Sequence, residues 1–597
     1  MKAALLGLLF LATVAGAQEP AETFYETATV QARPLSAATG SVTVIDREAI
    51  EASGARTVGD LLRLAPGVSV TTNSRGGFSA AQIRAGEPNF TLVLLDGVPL
   101  NDSTYQVGDV FNLEGLPTAG IERIEIVRGP LSSFYGSTGL AGVVQIFTRD
   151  GEGSEAQAEV SAGDASFRRG NGTVSGKGWS VTALWEEEAA RIAEERFEQA
   201  GGLASFSKGN LQLKARGAWW EGDDYPDASG GPVYGDGQLR HSDHEELSLA
   251  AGLTFGERHR LDASVYRHNL DRESPAVLFA VPDAIEETRF TRTRLGWASV
   301  LRSSEALRWS AGVDVQREQG ENESILAGFI TGDYDITRTL PGAYTELIAG
   351  RGGWTFELGS RIDLPEDNAA QWSPRLGIAR QIGKTRLRAS AGRAWKLPSF
   401  FALASPPALG GNPDLRPETV LGGDMGVEWR LDRTDACLTL FYNRYEDLVD
   451  FDFDAFLHLN RSEVETRGVE GTWGWKPRDG ISVRANATWQ EFESEADLRH
   501  RPKWTGSVQT HWQPVETVTL DLDAQAVSRF FDRQIPVEER RTVDGYELLG
   551  VGAAWRFAKP WELRLRLDNL LDERYETLIG FPGPERSVRA GLRWSAR

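Results

Sequence analysis

The chain has 597 residues, and its 85 acidic side chains outnumber the 64 basic ones to give a formal net charge of −21. That balance excludes a nucleic-acid partner, which needs a basic face, and a single Cys excludes an intramolecular disulfide framework and any Cys-based zinc or iron–sulfur site. With 64 Gly and 18 Trp the composition does not suit a helical protein, and a mean hydropathy of −0.33 looks soluble unless an apolar face is hidden in alternation.

Met1 and Lys2 lead into an apolar run from Ala3 to Val14, followed by the small residues Ala15-Gly16-Ala17. Residues 1–17 read as a secretory signal peptide cleaved after Ala17, and no later segment offers a transmembrane helix. Residues 18–39 form a polar leader. From 40 to 150 the pattern is that of a mixed α/β globule. A strand at Val42 to Ile45 leads into a turn of helix capped by Asp46, and Thr57 to Leu64 makes a second short helix ended by Pro66-Gly67. Strands follow at Leu92 to Leu95, Ile121 to Val127 and Val143 to Thr148, the first turning at Asp96-Gly97.

From 151 to 597 nearly everything alternates with period two. Leu247, Leu249, Ala251, Leu253 and Phe255 share one face, as do Trp561, Leu563, Leu565 and Leu567 against Glu562, Arg564, Arg566 and Asp568. A soluble sandwich would also alternate. Three features favour a membrane barrel: strands of about ten residues, near the length that spans a bilayer; Trp and Tyr toward strand ends; and the need of so many amphipathic strands to close and lose their edges. At about twenty residues per strand and half its loops, this region makes on the order of 22 antiparallel strands. A barrel this wide needs its lumen filled, and the 40–150 globule is the natural plug. The fold class is therefore mainly β, a 22-stranded transmembrane barrel around an N-terminal α/β plug.

Five stretches, in order, resemble the TonB-dependent outer-membrane transporters. Glu26-Thr27-Ala28-Thr29-Val30-Gln31-Ala32 resembles a TonB box. Leu94 to Asn101 (LLDGVPLN) and Ile121 to Thr148 resemble the plug motifs; Gly392 to Phe400 with Gly411 to Thr419 (GNPDLRPET) resembles the mid-barrel signature; Asn569 to Glu576 (NLLDERYE) resembles the penultimate-strand motif. The resemblance spans nearly the whole mature chain. It implies a bacterial outer-membrane location and active uptake of a scarce nutrient. It also implies a periplasmic TonB-type energy-coupling partner, reached by adding the box as a strand to that partner's sheet. Too few residues precede the box for a periplasmic signalling domain. The resemblance further implies that Arg84 and Arg128 meet barrel carboxylates at Asp424 and Glu470. Two departures from the family pattern stand out: Arg84 is followed by Ala85-Gly86 rather than directly by Gly, and Asp424 replaces the usual Glu.

Cargo is expected on the plug apices, 71–80 and 101–112, through Ser74, Arg75, Phe78, Tyr105, Gln106 and Asp109. The segment from Glu221 to Asp243 carries Asp223, Asp224, Asp227, Asp236 and Asp243, oxygen ligands suited to calcium, or simply a solvated acidic loop. No other cofactor is implied. His241 and His244 are expected at the surface, and Cys437 as a packing residue. A ferric siderophore leads as cargo, with cobalamin the alternative; a passive or adhesin-type barrel is the competing class, which would need neither plug nor box. No GxSxG, HExxH, Ser–His–Asp or phosphate-loop pattern points to an enzyme. Outer-membrane lipid is the remaining partner, and the barrel is expected to be a monomer.

Overall fold

The computed structural model describes residues 23–27, 33–73, 75–189, 195–225, 231–234, 239–256, 258–274, 284–304, 306–326, 330–452, 455–461, 463–494, 498–533 and 540–596. The expected signal peptide, residues 1–17, and Ala28 to Ala32 of the expected box lie outside them.

The plug is built on a five-stranded sheet in the order Ser41–Asp46, Ile121–Arg128, Gly142–Thr148, Thr91–Leu95, Val98–Pro99. Gly142–Thr148 pairs parallel with Thr91–Leu95; the other pairings are antiparallel. Local chemistry starts both plug helices. The Asp46 carboxylate accepts from the Ala49 amide at the head of Arg47–Ser53, and Thr57 with Asp60 forms a capping box on Val58–Leu62. A separate hairpin, Val68–Thr72 with Ser79–Ile83, raises the first apex. The apolar faces of these elements (Leu61, Leu62, Ile83, Ile124, Ile126, Ile146) form one core that runs on into the wall residues Tyr266, Phe290, Phe400 and Tyr445. The plug is thus packed against the barrel as well as enclosed by it.

Twenty-two antiparallel strands form a closed barrel, sealed where Glu155–Gly163 pairs with Ser587–Ala596. Connections alternate between tight turns and long loops, the asymmetry of an outer-membrane barrel. The turn between Tyr334–Arg351 and Trp354–Asp363 has only Gly352 and Gly353, at φ 58° and 82°, because a two-residue hairpin of this twist needs two left-handed residues. Apolar side chains alternate outward, with Leu376, Leu421 and Met425 each about 60% exposed to the lipid side. Trp179, Trp354 and Trp561 each begin a strand at the tight-turn end, where an interfacial ring belongs. The wall is uneven: Ala284–Ser303 and Leu307–Leu326 have 20 residues each, whereas Trp561–Asp568 has 8.

Candidate functional site

The plug is seated on the wall by a buried ionic cluster. Arg84 grips Glu470 with two hydrogen bonds, Nε to Oε1 at 2.8 Å and Nη2 to Oε2 at 3.0 Å. Its Nη1 donates to Asp424 Oδ2 at 3.1 Å, and the guanidinium lies 4.7 Å from the ring centre of Phe441. Arg128 Nε stands 3.3 Å from Glu470 Oε2, close enough for an ion pair but not aligned for a hydrogen bond; its terminal nitrogens donate to Thr43. The structure thus brings the four residues Arg84, Arg128, Asp424 and Glu470 together. Burial opposes the charge on Arg84, but Glu470 and Asp424 outweigh it and raise the guanidinium above its ordinary range; Arg128 is lowered by burial, with Arg84 and Arg388 adding to it.

Backbone geometry aims this cluster. Arg84 and Ala85 both have positive φ, 52° and 58°, so Ala85 takes a conformation that a glycine would take freely. Gly67 accepts from the Arg84 amide through its carbonyl, and a Cβ there would collide with Glu470 Oε1. Two cluster members were not singled out from sequence. Arg388 donates to Asp424 Oδ1 at 2.8 Å, and Phe441 supports Arg84. Alternation in Thr385–Lys396 does place Arg388 on the lumen side, opposite Leu387 and Ala389, but nothing in one strand reveals its partner. Cys437 sits beside the cluster, with its sulfur 3.7 Å from Arg388 Nη2.

The described leader residues, 23–27 and 33–39, are docked. Phe24–Tyr25 pairs with Arg33–Pro34, and Arg33 is buried against Glu357 at 3.0 Å on the wall. One oxygen of the fully buried Glu125, on plug strand Ile121–Arg128, accepts from the amides of Glu26 and Thr27, both at 2.8 Å, and from the Thr27 hydroxyl at 2.6 Å. Arg123 bridges Glu125 and Glu26. Three donors on one oxygen make a charge-assisted clasp. In a Cys437→Ser background, replacing Glu125 with Gln is expected to raise the labelling rate of a cysteine at the buried position Tyr25 by about fivefold or more, matching the roughly 1–3 kcal/mol lost with a buried charged acceptor. An unchanged rate would show that the clasp does not hold the leader.

Of the expected cargo contacts, most turn out to hold the plug. Arg75 bonds Glu114 on the plug and Glu186 on the wall and stacks on Phe197 at 3.8 Å. Tyr105 is buried, and half-buried Phe78 packs on it at 6.3 Å. Asp109 is buried 3.7 Å from Arg292; burial pushes its carboxyl up, against the pull of Arg292. The reason is enclosure: a wall rich in charge and aromatics claims the polar side chains of loops that would be exposed on a free globule. Gln106, with Val107 beside it at 56% exposure, is the part of the second apex that faces open space. Ser74 lies outside the described residues.

The acidic segment also differs from expectation. Asp227 and Asp236 lie outside the described residues. Asp224 faces the lumen, fully buried, and accepts two hydrogen bonds from Arg240 at 2.9 and 2.6 Å. Asp223 and Asp243 share the lipid-side parity of Leu213 and Leu247 and flank His241 at 2.7 and 3.2 Å, so they point away from the vestibule. Glu221, His241 and Asp243 present ligand atoms within 4.8 Å of one another on that outer face. They belong to a longer pattern. Strand register sets Glu187 opposite Glu198, then Glu198 opposite Glu221, Glu221 opposite Asp243, Asp243 opposite Asp271, Asp271 opposite Glu287, and Glu287 opposite Glu323. His244, expected at the surface, is buried at 2% exposure, because its parity is inward.

Comparison with known proteins fits this architecture. A family model described as TonB dependent receptor-like, beta-barrel, matches residues 193–570, more than half of the chain, and one for the TonB-dependent Receptor Plug Domain matches 34–143. Vitamin B12 transporters BtuB of Photobacterium profundum and of Vibrio vulnificus (strain YJ016) are 25% and 26% identical, over 94% of this chain and 93% and 92% of their own lengths. Among solved structures, the siderophore receptor PirA from Acinetobacter baumannii superposes with a TM-score of 0.78 at 18% identity, covering 93% of this chain and 98% of that one. The ferric enterobactin receptor PfeA from Pseudomonas aeruginosa gives 0.76 at 16% identity, covering 94% and 100%. With barrel, plug and both family models in agreement, the chain belongs to the TonB-dependent receptors and is an outer-membrane barrel of TonB-dependent transport.

Proposed function

We propose that this transporter takes up a cobalamin-type corrinoid, delivered through the barrel by pulling on the leader from a periplasmic TonB-type protein. The observation that carries the cargo assignment is the match to vitamin B12 transporters over 94% of the chain. Charge in the upper lumen supports it. Arg240 is bonded to Asp224, Arg272 to Glu286, and both Arg292 and Arg338 to Glu318. Three wall carboxylates engage these four guanidiniums, and Asp109 of the plug stands 3.7 Å from Arg292, so little positive charge is left open to a ligand, which suits a bulky cargo without net charge better than an anionic ferric catecholate. That ordering places cobalamin ahead of the ferric siderophore that leads on the sequence alone. The carboxylates of Asp223 and Asp243 face outward, so binding should not draw on calcium held by them.

Tryptophan quenching of the purified barrel tests this reading. Cyanocobalamin is expected to bind with a Kd of about 1 μM or tighter, and the Asp223→Ala/Asp243→Ala double variant to change that by less than about twofold. Saturable binding of ferric enterobactin without binding of cyanocobalamin would replace the corrinoid with an iron chelate.

A further inference from the structure

The plug apex that carries Gln106 is joined to the wall by a chain of buried titratable groups separate from the Arg84 seat. Asp102 and Val110 close the apex loop through two backbone hydrogen bonds, 2.9 and 3.3 Å. Inside it, Asp102 Oδ1 accepts from the amide and hydroxyl of Thr104, each at 2.7 Å. Asp102 Oδ2 faces the wall and lies 2.6 Å from His268 Nδ1, and His268 Nε2 lies 3.0 Å from His244 Nδ1. Trp220 stacks on His244 at 3.4 Å between ring centres, and Tyr105 stacks on His268 at 5.8 Å. None of Asp102, His268, His244 and Trp220 is more than 2% exposed.

Proton positions follow from the partners. A carboxylate only accepts, so His268 Nδ1 carries a hydrogen. His268 Nε2 and His244 Nδ1 share the single hydrogen between the two rings. The hydrogen on His268 Nδ1 therefore points from the wall toward the plug, and the ring-to-ring contact joins His244 to the same chain. Flat stacking on Trp220 and Tyr105 holds the rings in the plane this requires. The charged and titratable neighbours are already engaged: Arg240 with Asp224, Arg272 with Glu286, Arg216 with Glu246, and the Tyr334 hydroxyl 3.4 Å from the Thr104 carbonyl, with Tyr266 on the strand of His268. They leave Asp102 as the carboxylate that His268 reaches.

We propose that Asp102, His268 and His244 form the tether by which the barrel wall positions the cargo-facing apex of the plug. The inference rests on the transport reading for its purpose, but not for its test. Gln106 and Val107 are exposed between two anchors, Asp102 on His268 and Asp109 beside Arg292, so the apex is a short span fixed at both ends. His268 and His244 are positioning residues; the structure gives them no contact with the open face of the apex.

The experiment is a nitroxide at Gln106→Cys, with Cys437→Ser, in the full-length protein in detergent, read by electron paramagnetic resonance without any cargo. His268→Ala is expected to shorten the label's rotational correlation time by about twofold or more, as an anchored loop becomes a free one. His268→Asn, whose amide places a donor near the lost Nδ1, is expected to restore most of the immobilisation, which simple refilling of volume would not. Asp102→Ala, on the plug side, is expected to match His268→Ala and covers the case in which the wall variant fails to fold. A spectrum unchanged in both His268→Ala and Asp102→Ala, or His268→Asn as mobile as His268→Ala, would overturn the tether. Because no cargo enters, this result stands apart from any failure to bind cyanocobalamin.

Discussion

Deleting residues 26–32 is expected to reduce energised uptake to background, a loss of more than about tenfold, while leaving cargo binding at the cell surface intact. The outer membrane has neither ATP nor a sustained potential, so work must arrive as a pull on a segment that reaches the periplasm. The leader has the properties of a handle. It is clasped at Thr27 by Glu125 on the central plug sheet, so a pull on the residues around Thr27 reaches the plug directly, while Arg33 further along is held to the wall by Glu357. Cargo is expected at the opposite end of the molecule, on the plug apices, which is why binding should survive. Labelled cyanocobalamin, counted as cell-bound and as internalised, separates the two quantities. Uptake at wild-type rate after the deletion would place energy coupling elsewhere.

Arg84→Ala is the second large effect. Removing one partner of a buried ion pair costs about 3–5 kcal/mol, because the other charge stays buried without compensation. Here two carboxylates each lose a partner. Glu470 keeps only the poorly aligned Arg128, and Asp424 keeps Arg388. The energy is expected to appear as loosened seating with the barrel intact. Hydrogen exchange of the plug hairpin Val68–Thr72 with Ser79–Ile83 should accelerate, and cells should admit large hydrophilic antibiotics that the wild type excludes. Arg84→Lys should rescue only part, since an ammonium cannot reproduce the two-pronged grip on Glu470. Unchanged exchange and permeability in Arg84→Ala would show that the cluster does not seat the plug.

Much of the fold was legible in the sequence because the signals were local. Asp46 and Thr57 cap the helices they precede, and Leu247 to Phe255 faces lipid as its alternation says. The Arg84–Glu470 pairing was accessible only through family resemblance, since 386 positions separate the partners. What stayed hidden was the far side of each polar apex residue. Arg75, Tyr105 and Asp109 have the chemistry of a binding site, and the chain alone does not say that Glu186, His268 and Arg292 reach them first. His244 was misplaced for a related reason. It shares its strand face with Ser242 and Glu246, polar residues whose types carry no mark of burial, and only the finished wall and its plug close that face off from water.

The carboxylates aligned from Glu187 to Glu323 bear on how the wall responds to its surroundings. Directly opposed like charges repel, and at about 5 Å in water each adjacent pair costs about 0.8 kcal/mol before screening. Arg168, Arg196 and Arg289 relieve Glu187, Glu221 and Glu287 only in part. The upper half of the tall wall is therefore loaded laterally, like a spring whose stiffness is set by dissolved ions, while the dry Arg84 cluster is shielded from them. Ionic strength at the cell surface thus acts on the rim and the seat of the same molecule unequally: strand pairing at the rim tightens as salt rises, and the grip on the plug stays as it was.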